Sequence, residues 1–311
     1  MQVSSNKIVI LGTGGTIAGT AAARGDHVGY TAAQLGVAEL VASVPALADV
    51  PLVAEQVAQL DSKDMDHATW RALALRVAHW LADTQVQGIV VTHGTDTLEE
   101  TAWFLQQVLQ PSKPVVLACA MRPATALVAD GPQNLLDAVS VARHPGASGV
   151  VAVCAGAIHG AREVRKSHTY RLDAFDSGDA GPIGYVEQGG LRLLRGWPRP
   201  LPPQAALLAR DAHEWPRVDI VSSHAGADAR LVELLVADGT RGLIVAATGN
   251  GTVHKALEAA LARAQQGGTR VLRATRCAQG RIIASADAAF ADADDLSPVK
   301  ARVSLMLSLG D

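Results

Sequence analysis

Threonine hydroxyls beside glycines are the clearest candidates for chemistry in this 311-residue sequence. A turn at 12–19 reads Gly-Thr-Gly-Gly-Thr-Ile-Ala-Gly and carries Thr16. A second turn at 92–97 reads Thr-His-Gly-Thr-Asp-Thr and carries Thr95 and Asp96. A threonine hydroxyl is a weak nucleophile until a neighbouring base takes its proton. The two turns therefore indicate covalent catalysis by an activated hydroxyl, provided that a proton acceptor lies within reach.

Two side chains are candidates for that proton transfer. The chain has few lysines among its 27 basic residues, and an arginine cannot act as a base at useful pH, whereas a buried lysine can. Lys166, in the segment Arg-Glu-Val-Arg-Lys-Ser, is the candidate base, and a solvated basic face is the competing interpretation. Tyr30, one of 3 tyrosines, follows the glycine turn and could exchange a proton with Thr16 if its loop closes. A packing role is the competing interpretation for Tyr30.

Several other kinds of site are disfavoured by the same residues. Ile17 stands where a dinucleotide fingerprint needs its third glycine, and Thr20 follows Gly19 where a phosphate-binding loop needs lysine. The sequence contains neither a Gly-x-Ser-x-Gly elbow nor a His-Glu-x-x-His metal helix. Its 3 cysteines include no C-x-x-C pair, so a disulfide framework or a structural zinc site is not expected. We interpret His93 as a structural histidine.

The composition of the chain argues against two classes of binding partner, nucleic acids and membranes. Hydrophobic residues make up 49% of the chain and charged residues 18%, which is typical of a protein with a large buried core. A net charge of −3 argues against a nucleic-acid partner. No apolar run approaches the length of a membrane span, and none of signal-peptide length precedes the first predicted strand. We expect a reduced, cytoplasmic protein that binds no membrane, unless the chain begins at a mature terminus.

The elements that position these turns follow an alternating pattern. Short apolar runs alternate with helical patterns, which predicts an α/β fold with a doubly wound, mostly parallel sheet. In such a sheet the turns after the strands meet at one edge, so a third polar turn at 60–65 should join the other two. The helix beginning near Thr97 carries a capping-box pattern, Thr97-x-x-Glu100. We predict strands at 8–11, 89–91, 115–119, 150–153 and 243–246, and further helices at 132–142 and 252–265.

The chain should form two domains. The proline-rich stretch 197–203 cannot hold regular structure, and we interpret the segment around it as a linker. We therefore predict a larger N-terminal α/β catalytic domain at 1–193, a linker at 194–216, and a smaller C-terminal α/β domain at 217–311.

Seven segments in this order, with an eighth near the end of the chain, resemble the bacterial L-asparaginase/glutaminase family of threonine amidohydrolases. The resemblance implies hydrolysis of L-asparagine to L-aspartate and ammonia without metal or cofactor, by a homotetramer of paired dimers. The matching segments are 13–19 (Thr-Gly-Gly-Thr-Ile-Ala-Gly), 61–65 (Asp-Ser-Lys-Asp-Met), 92–101 (Thr-His-Gly-Thr-Asp-Thr-Leu-Glu-Glu-Thr), 120–123 (Ala-Met-Arg-Pro), 130–132 (Asp-Gly-Pro), 160–166 (Gly-Ala-Arg-Glu-Val-Arg-Lys), 249–251 (Gly-Asn-Gly) and 298–302 (Pro-Val-Lys-Ala-Arg).

The resemblance also assigns catalytic roles, residue by residue. Thr16 falls at the position of the primary nucleophile, and Tyr30 at that of a lid tyrosine that shuttles its proton. Thr95, Asp96 and Lys166 fall at a second polar triad. The resemblance leaves open whether this triad activates the attacking water or assists the first acyl step.

Substrate binding is assigned in the same way. Ser62 and Asp96, with Thr95 beside them, fall at positions that hold the carboxylate and ammonium of the substrate. Asn250 matches a residue that the neighbouring subunit contributes.

Two departures from the family pattern bear on the site. The residue after Ser62 is usually Gln or Glu in secreted relatives, where it contacts the ammonium of the substrate, and here it is Lys63. Either Lys63 turns outward, or a second cation weakens recognition of the substrate amine. The segment between Arg276 and Pro298 is also short, so we assign no acidic residue supplied across a subunit interface.

Three alternatives remain open at this point. The same fold and chemistry could act on glutamine or on both amides, because one methylene changes discrimination by only about 1–3 kcal/mol. The protein could instead be a catalytically weak amino-acid sensor. A nucleotide-binding oxidoreductase is the most remote interpretation.

Overall fold

The computed structural model describes residues 6–23, 25–283, 285 and 288–310. The chain divides into two compact units, of which the first ends at Pro203 and the second begins at Gln204. This division falls inside the predicted linker at 194–216. Part of that segment is nonetheless ordered, because Ala206–Ala209 forms a 3₁₀ turn and the Trp215 indole donates to the Leu207 carbonyl at 3.0 Å.

Strands and helices alternate through most of the first unit. Its described elements are β1 (Lys7–Gly14), α1 (Val37–Ala42), β2 (Leu52–Leu60), α2 (His67–Ala82), β3 (Val86–Thr92), α3 (Leu98–Leu109), β4 (Pro114–Ala118), α4 (Gly131–Ala142), β5 (Gly149–Cys154), β6 (Ala157–Gly160), β7 (Arg165–Lys166), β8 (Phe175–Asp176), β9 (Gly184–Glu187) and β10 (Gly190–Leu193).

The large sheet has the order β10-β9-β6-β5-β4-β3-β1-β2, while β7 and β8 form a separate antiparallel pair. The strands from β2 to β5 pair in parallel, and β6, β9 and β10 continue the sheet antiparallel. The predicted α/β class with a mostly parallel sheet is confirmed. The predicted strands of this unit lie within β1, β3, β4 and β5, except that β4 ends at Ala118, one residue early.

Burial on both faces explains the apolar runs. Val9, Ile10 and Leu11 of β1 are fully buried, as expected for a central strand covered by helices on both sides. On one face α2 packs on α3, where the rings of Trp70 and Phe104 stack with centroids 4.9 Å apart. The strands β3, β1 and β2 are neighbours, so the turns that follow them meet at one edge of the sheet.

The second unit repeats the strand–turn–helix pattern on a smaller scale. Its described elements are β11 (Val218–Ser222), α5 (Arg230–Ala237), β12 (Gly242–Ala247), α6 (Lys255–Gln266), β13 (Arg270–Thr275), β14 (Ala291–Asp292) and α7 (Pro298–Ser308). The strands pair in parallel in the order β11-β12-β13-β14. This smaller α/β unit was also predicted.

The helix predicted at 252–265 begins later than expected. The hydroxyls of Thr248 and Thr252 lie 2.7 Å apart, and the Thr248 amide donates to the Thr252 carbonyl at 3.0 Å. This closed turn occupies the residues that the apolar pattern had given to the helix. His254 then caps α6 by accepting from the Ala256 amide at 3.3 Å.

Among the described residues, no helix combines the length and the apolar character needed to cross a membrane.

Candidate active site

Two glycines bring the turns after β1 and β3 into contact. Gly15 has a positive φ of 82°, a conformation that favours glycine. A Cβ added at Gly15 would overlap the backbone of Gly94, and one added at Gly94 would overlap the Ser62 hydroxyl. Side chains at these positions would therefore push the three turns apart, so glycine is required for their close approach.

Thr16 lies at this junction, in a 3₁₀ turn, Thr16–Ala18, that follows β1. Its side chain is buried, and its Oγ1 lies 2.6 Å from the phenol oxygen of Tyr30. The segment carrying Tyr30 is held to the same turn by a pair of 2.9 Å backbone hydrogen bonds between Thr20 and Thr31. The structure thus brings together the predicted nucleophile and its predicted proton partner.

The second predicted group is assembled across 71 residues of sequence. Lys166 Nζ lies 2.8 Å from Thr95 Oγ1 and 2.6 Å from Asp96 Oδ1. The Lys166 and Asp96 side chains are 21% and 50% exposed, so this ion pair lies at the rim of the site, while Thr95 is buried. Since an ammonium carries three hydrogens, one remains to donate to a ligand.

Ser62 connects the third turn to this group. It is buried in a short 3₁₀ turn after β2, where its Oγ accepts from the Asp96 amide at 3.1 Å. The Thr97 hydroxyl donates to the Ser62 carbonyl at 2.8 Å. Thr97 makes no side-chain cap to α3, so the predicted capping box is wrong at this end. Its hydroxyl holds the 60–65 turn against the start of α3 instead.

Lys63 points to the surface. Its side chain is 61% exposed, and Nζ lies 3.0 Å from Asp61 Oδ2 and 3.0 Å from Asp64 Oδ2. Of the two arrangements left open by the sequence, the described structure has the outward one, in which two neighbouring carboxylates balance the added cation.

His93 is fully buried directly before Gly94. Burial lowers the pKa of its imidazole to about 4, so the ring is neutral near pH 7. Nδ1 lies 2.7 Å from the Gly94 carbonyl, which can only accept, so Nδ1 donates. This geometry agrees with a structural role for His93, which fixes the backbone of the 92–97 turn.

Some supporting residues had no role assigned from the sequence. The Asp130 carboxylate accepts from the amides of Met121 and Arg122, each at 2.9 Å, and so closes the loop after β4. Glu99 Oε1 accepts from the Lys166 amide at 3.4 Å and orients β7. Glu99 stands in the first turn of α3, where an acidic residue is an ordinary helix signal, so the pattern could not reveal this longer contact.

Asn250 lies in the second unit, in the turn after β12. Its side-chain amide exchanges hydrogen bonds with the Ile283 backbone, with Oδ1 accepting at 2.7 Å and Nδ2 donating at 3.2 Å. Within the short segment 276–298, residues 284, 286 and 287 lie outside the described residues.

The chain matches one family over both units. Residues 7–199 match "Asparaginase, N-terminal", and residues 217–311 match "Glutaminase/Asparaginase C-terminal domain". The chain belongs to the asparaginase family. The resemblance drawn from the sequence motifs is therefore confirmed.

Relatives within the asparaginase family match almost the whole chain. It is 38% identical to L-asparaginase 2 of Bacillus subtilis (strain 168), over 97% of this chain and 82% of that protein. It is 35% identical to a glutaminase-asparaginase of Pseudomonas fluorescens biotype A, over 97% of this chain and 86% of that protein. Among solved structures, a probable cytoplasmic L-asparaginase from Campylobacter jejuni superposes with a TM-score of 0.92 at 36% identity, covering 98% of this chain and 96% of that one.

Proposed function

We propose that this protein is an L-asparaginase that hydrolyses L-asparagine to L-aspartate and ammonia, with Thr16 as the nucleophile. The observation that carries the proposal is the 2.6 Å contact between Thr16 Oγ1 and the Tyr30 phenol, at the point where three sheet-edge turns meet. A hydroxyl paired with a proton-exchanging group is the arrangement that nucleophilic catalysis requires. Membership of the asparaginase family supports the substrate class.

In the first half-reaction, the Thr16 oxygen attacks the side-chain carbonyl carbon of asparagine, and its proton passes to the Tyr30 oxygen while the Tyr30 hydroxyl gives up its own proton to a water molecule. The tetrahedral intermediate then collapses, the bond from carbon to nitrogen breaks, and the leaving nitrogen takes a proton and departs as ammonia. A β-aspartyl ester remains on Thr16. In the second half-reaction, water attacks the ester and releases aspartate, and the proton returns to Thr16.

Backbone amides of the 92–97 turn stabilise the oxyanion in this proposal. A positioned donor of this kind contributes about 3–4 kcal/mol in comparable enzymes. Two amides of the turn already have acceptors, because that of His93 donates to the Ala118 carbonyl at 2.9 Å and that of Asp96 to Ser62. We assign the role to the amides of Gly94 and Thr95, which lie between these two in the turn.

The Thr95–Asp96–Lys166 group handles the second proton transfer. Lys166 Nζ contacts Thr95 Oγ1 directly, so a proton can pass between them, while the Asp96 carboxylate balances the ammonium. The start of α3, two residues after Asp96, carries the partial positive charge of a helix N-terminus close to this ion pair. We propose that this group protonates the leaving nitrogen and later receives a proton from the attacking water.

The backbone of asparagine is held by the rim of the same site. In this proposal the Ser62 hydroxyl donates to the α-carboxylate and Asp96 accepts from the α-ammonium. Asn250 is contributed by a neighbouring subunit of a homotetramer. The steps use only side chains, backbone amides and water, so the proposal includes no cofactor.

A cytoplasmic location remains our proposal as well. Cys119 and Cys154 are buried free thiols, as expected of a protein that folds in a reducing compartment. The structural relative from Campylobacter jejuni is titled cytoplasmic, whereas a relative from Haemophilus influenzae is named periplasmic.

Mixed activity on glutamine is the second candidate function. It is favoured by the 35% identity to relatives named glutaminase-asparaginase, which nearly equals the identity to those named L-asparaginase. The pocket length around the side-chain amide decides between the two substrates.

Ammonia release tests the proposed function. The purified protein is incubated with L-asparagine, L-glutamine and D-asparagine, each from micromolar to tens of millimolar. We expect saturable release with L-asparagine in large excess over protein. Equal turnover of L-glutamine would establish the mixed enzyme, and a ligand-induced rise in melting temperature without ammonia would establish the sensor.

A further inference from the structure

A cavity of about 480 Å³ lies in the first unit, outside the residues assigned to catalysis. It is bounded by α3, by the residues that follow β6 and by the segment after β10. Its volume is in the range of small-molecule sites. Its lining includes Trp103, Gln110, Arg162, Glu163, Arg195, Trp197 and Arg199.

The charge of the lining favours an anion. Three arginines line the cavity against one glutamate, so these side chains contribute a net charge of +2 (3 − 1). Arg195 is fixed in place, because its Nε donates to the Gly181 carbonyl at 3.1 Å and its Nη2 lies 3.2 Å from Glu163 Oε2. Within the described part of the chain, the buried Nη2 has no partner that meets hydrogen-bond geometry. The ion pair with Glu163 therefore leaves the hydrogen-bonding capacity of Nη2 unused, and an incoming carboxylate would accept from it.

Gln110 adds a second donor. Its Oε1 accepts from Gln106 Nε2 and from the Leu201 amide, each at 2.8 Å, so the orientation of the side-chain amide is set. The remaining Nε2 is buried, and no acceptor for it lies among the described residues. Gln110 directly follows α3 and has a left-handed backbone conformation with φ 44°. This conformation is unfavourable for a residue with a side chain, so the surrounding structure must hold it in place.

Two indoles make the walls flat and apolar. Trp103 is buried in α3 with the Arg162 guanidinium 5.6 Å from its ring centroid. Trp197 is half-buried after β10, with its ring 6.1 Å from that of His144. A flat aromatic ligand gains contact area against such walls, whereas a small inorganic anion does not.

We propose that this cavity is a second ligand site, which binds a small aromatic carboxylate. The carboxylate contacts Arg195 and the Gln110 amide, and the ring lies against Trp197 and Trp103. Asparagine does not fit this description, because it lacks an apolar ring and its ammonium would face three arginines. The proposal goes beyond asparagine hydrolysis and does not depend on it.

Titration of the full-length protein with naphthalene-2-carboxylate tests the proposal, with calorimetry as the readout. We expect saturable binding of one molecule per chain. Naphthalene-2-carboxamide, which has the ring without the charge, and inorganic phosphate, which has the charge without the ring, should each bind at least tenfold more weakly. Absence of saturable binding below 10 mM, or equal affinity for either comparator, would overturn the proposal.

Variants locate the site. Arg195→Met should weaken binding of the carboxylate at least tenfold. The matched control Arg192→Met, three residues earlier in β10 and paired with Glu187 outside the cavity, should leave binding unchanged. Because Arg195 also holds Glu163, Arg199→Gln at an exposed lining position is the second variant, with an expected loss of at least threefold.

The same titration distinguishes this cavity from the catalytic site. Thr16→Ala should bind naphthalene-2-carboxylate as the unaltered protein does. Loss of binding in Thr16→Ala, or equal losses in Arg192→Met and Arg195→Met, would place the ligand elsewhere and overturn the assignment.

Discussion

The two threonines at the edge of the sheet reach their proton partners in different ways. Thr16 pairs with the phenol of Tyr30, 14 residues along the chain, on the segment between β1 and α1. Thr95 pairs with Lys166, 71 residues away on β7, and Asp96 completes an ion pair there. The first pair depends on a local loop, and the second on the meeting of distant sheet elements.

This difference separates the chemical roles. A phenol next to a hydroxyl can accept one proton while it releases its own, and this relay leaves no charge on the phenol, which suits repeated activation of a nucleophile. The Lys166 ammonium is held by the Asp96 carboxylate, so its position does not depend on the bound substrate. A fixed position suits a proton relay. We therefore assign bond formation to the glycine turn and proton delivery to the polar turn.

Removing the Thr16 hydroxyl should have the largest effect. Thr16→Ala should lower kcat by about a thousandfold or more, because no covalent intermediate can form. The melting temperature should stay close to that of the unaltered protein, since the change removes few packing contacts. Thr16→Ser is the matched control and should keep measurable activity. A Thr16→Ala rate above a hundredth of the unaltered rate would show that Thr16 is not the nucleophile.

Substitutions of Lys166 test the role of the Thr95–Asp96–Lys166 group. Lys166→Met should lower kcat by about a hundredfold to a thousandfold, because both the proton and the charge that balances Asp96 are lost. Lys166→Arg keeps the charge but cannot give up its proton, so it should recover little of the rate. Full activity in the arginine variant would show that the charge of Lys166 matters and its proton does not.

The buried imidazole of the polar turn predicts a pH dependence of stability. His93 titrates near 6.5 when unfolded and at about 4 when folded, so between these values only the unfolded state takes a proton. Stability due to neutral His93 is present above pH 6.5 and is lost as pH falls to 4, by about 3 kcal/mol. Urea unfolding across this window should show a smaller decline in His93→Gln than in the unaltered protein. Equal declines in the free energy of unfolding of the two proteins would show that His93 does not cause the loss of stability.

Removal of the Tyr30 phenol should lower kcat less than loss of the Thr16 hydroxyl or of the Lys166 ammonium. Tyr30→Phe keeps the ring and removes the hydroxyl that contacts Thr16, so kcat should fall by about a hundredfold, the scale of general acid–base catalysis. Tyr185→Phe removes a phenol from β9 and serves as the control. If Tyr30→Phe matched its control, the glycine turn would have to activate Thr16 without the phenol.

The smallest effect is expected at Lys63. Its ammonium is already paired with Asp61 and Asp64 at the surface, so Lys63→Gln should change KM for L-asparagine by no more than about threefold. A tenfold fall in KM would mean that Lys63 reaches the substrate and weakens its binding. That result would support the alternative arrangement that the sequence left open.

The sequence predicted the parts of the site that depend on hydrophobic periodicity and on the residue types of the turns. The apolar runs located five of the parallel strands, four in the first unit and β12 in the second. The rule that ligands bind at the carboxyl ends of such strands brought the 12–19, 60–65 and 92–97 turns together. The roles of Thr16, Tyr30, Thr95, Asp96 and Lys166 came from the family resemblance. The structure gives their contacts, and the variants above test their roles.

The sequence could not predict side-chain orientations that depend on contacts between distant residues. Thr97 was predicted to cap α3, but its hydroxyl reaches the Ser62 carbonyl, a partner 35 residues away that no local pattern reveals. Likewise, the outward turn of Lys63 depends on competition between flanking carboxylates and the site, which residue types alone leave undecided.

Locating the acyl group tests the central claim most directly. The protein is mixed with L-asparagine, quenched in acid within milliseconds, digested, and its peptides are examined by mass spectrometry. We expect one aspartyl group on the peptide containing Thr16, and none on the peptide containing Thr95. An aspartyl group on Thr95, or a first turnover of ammonia with neither threonine modified, would contradict it.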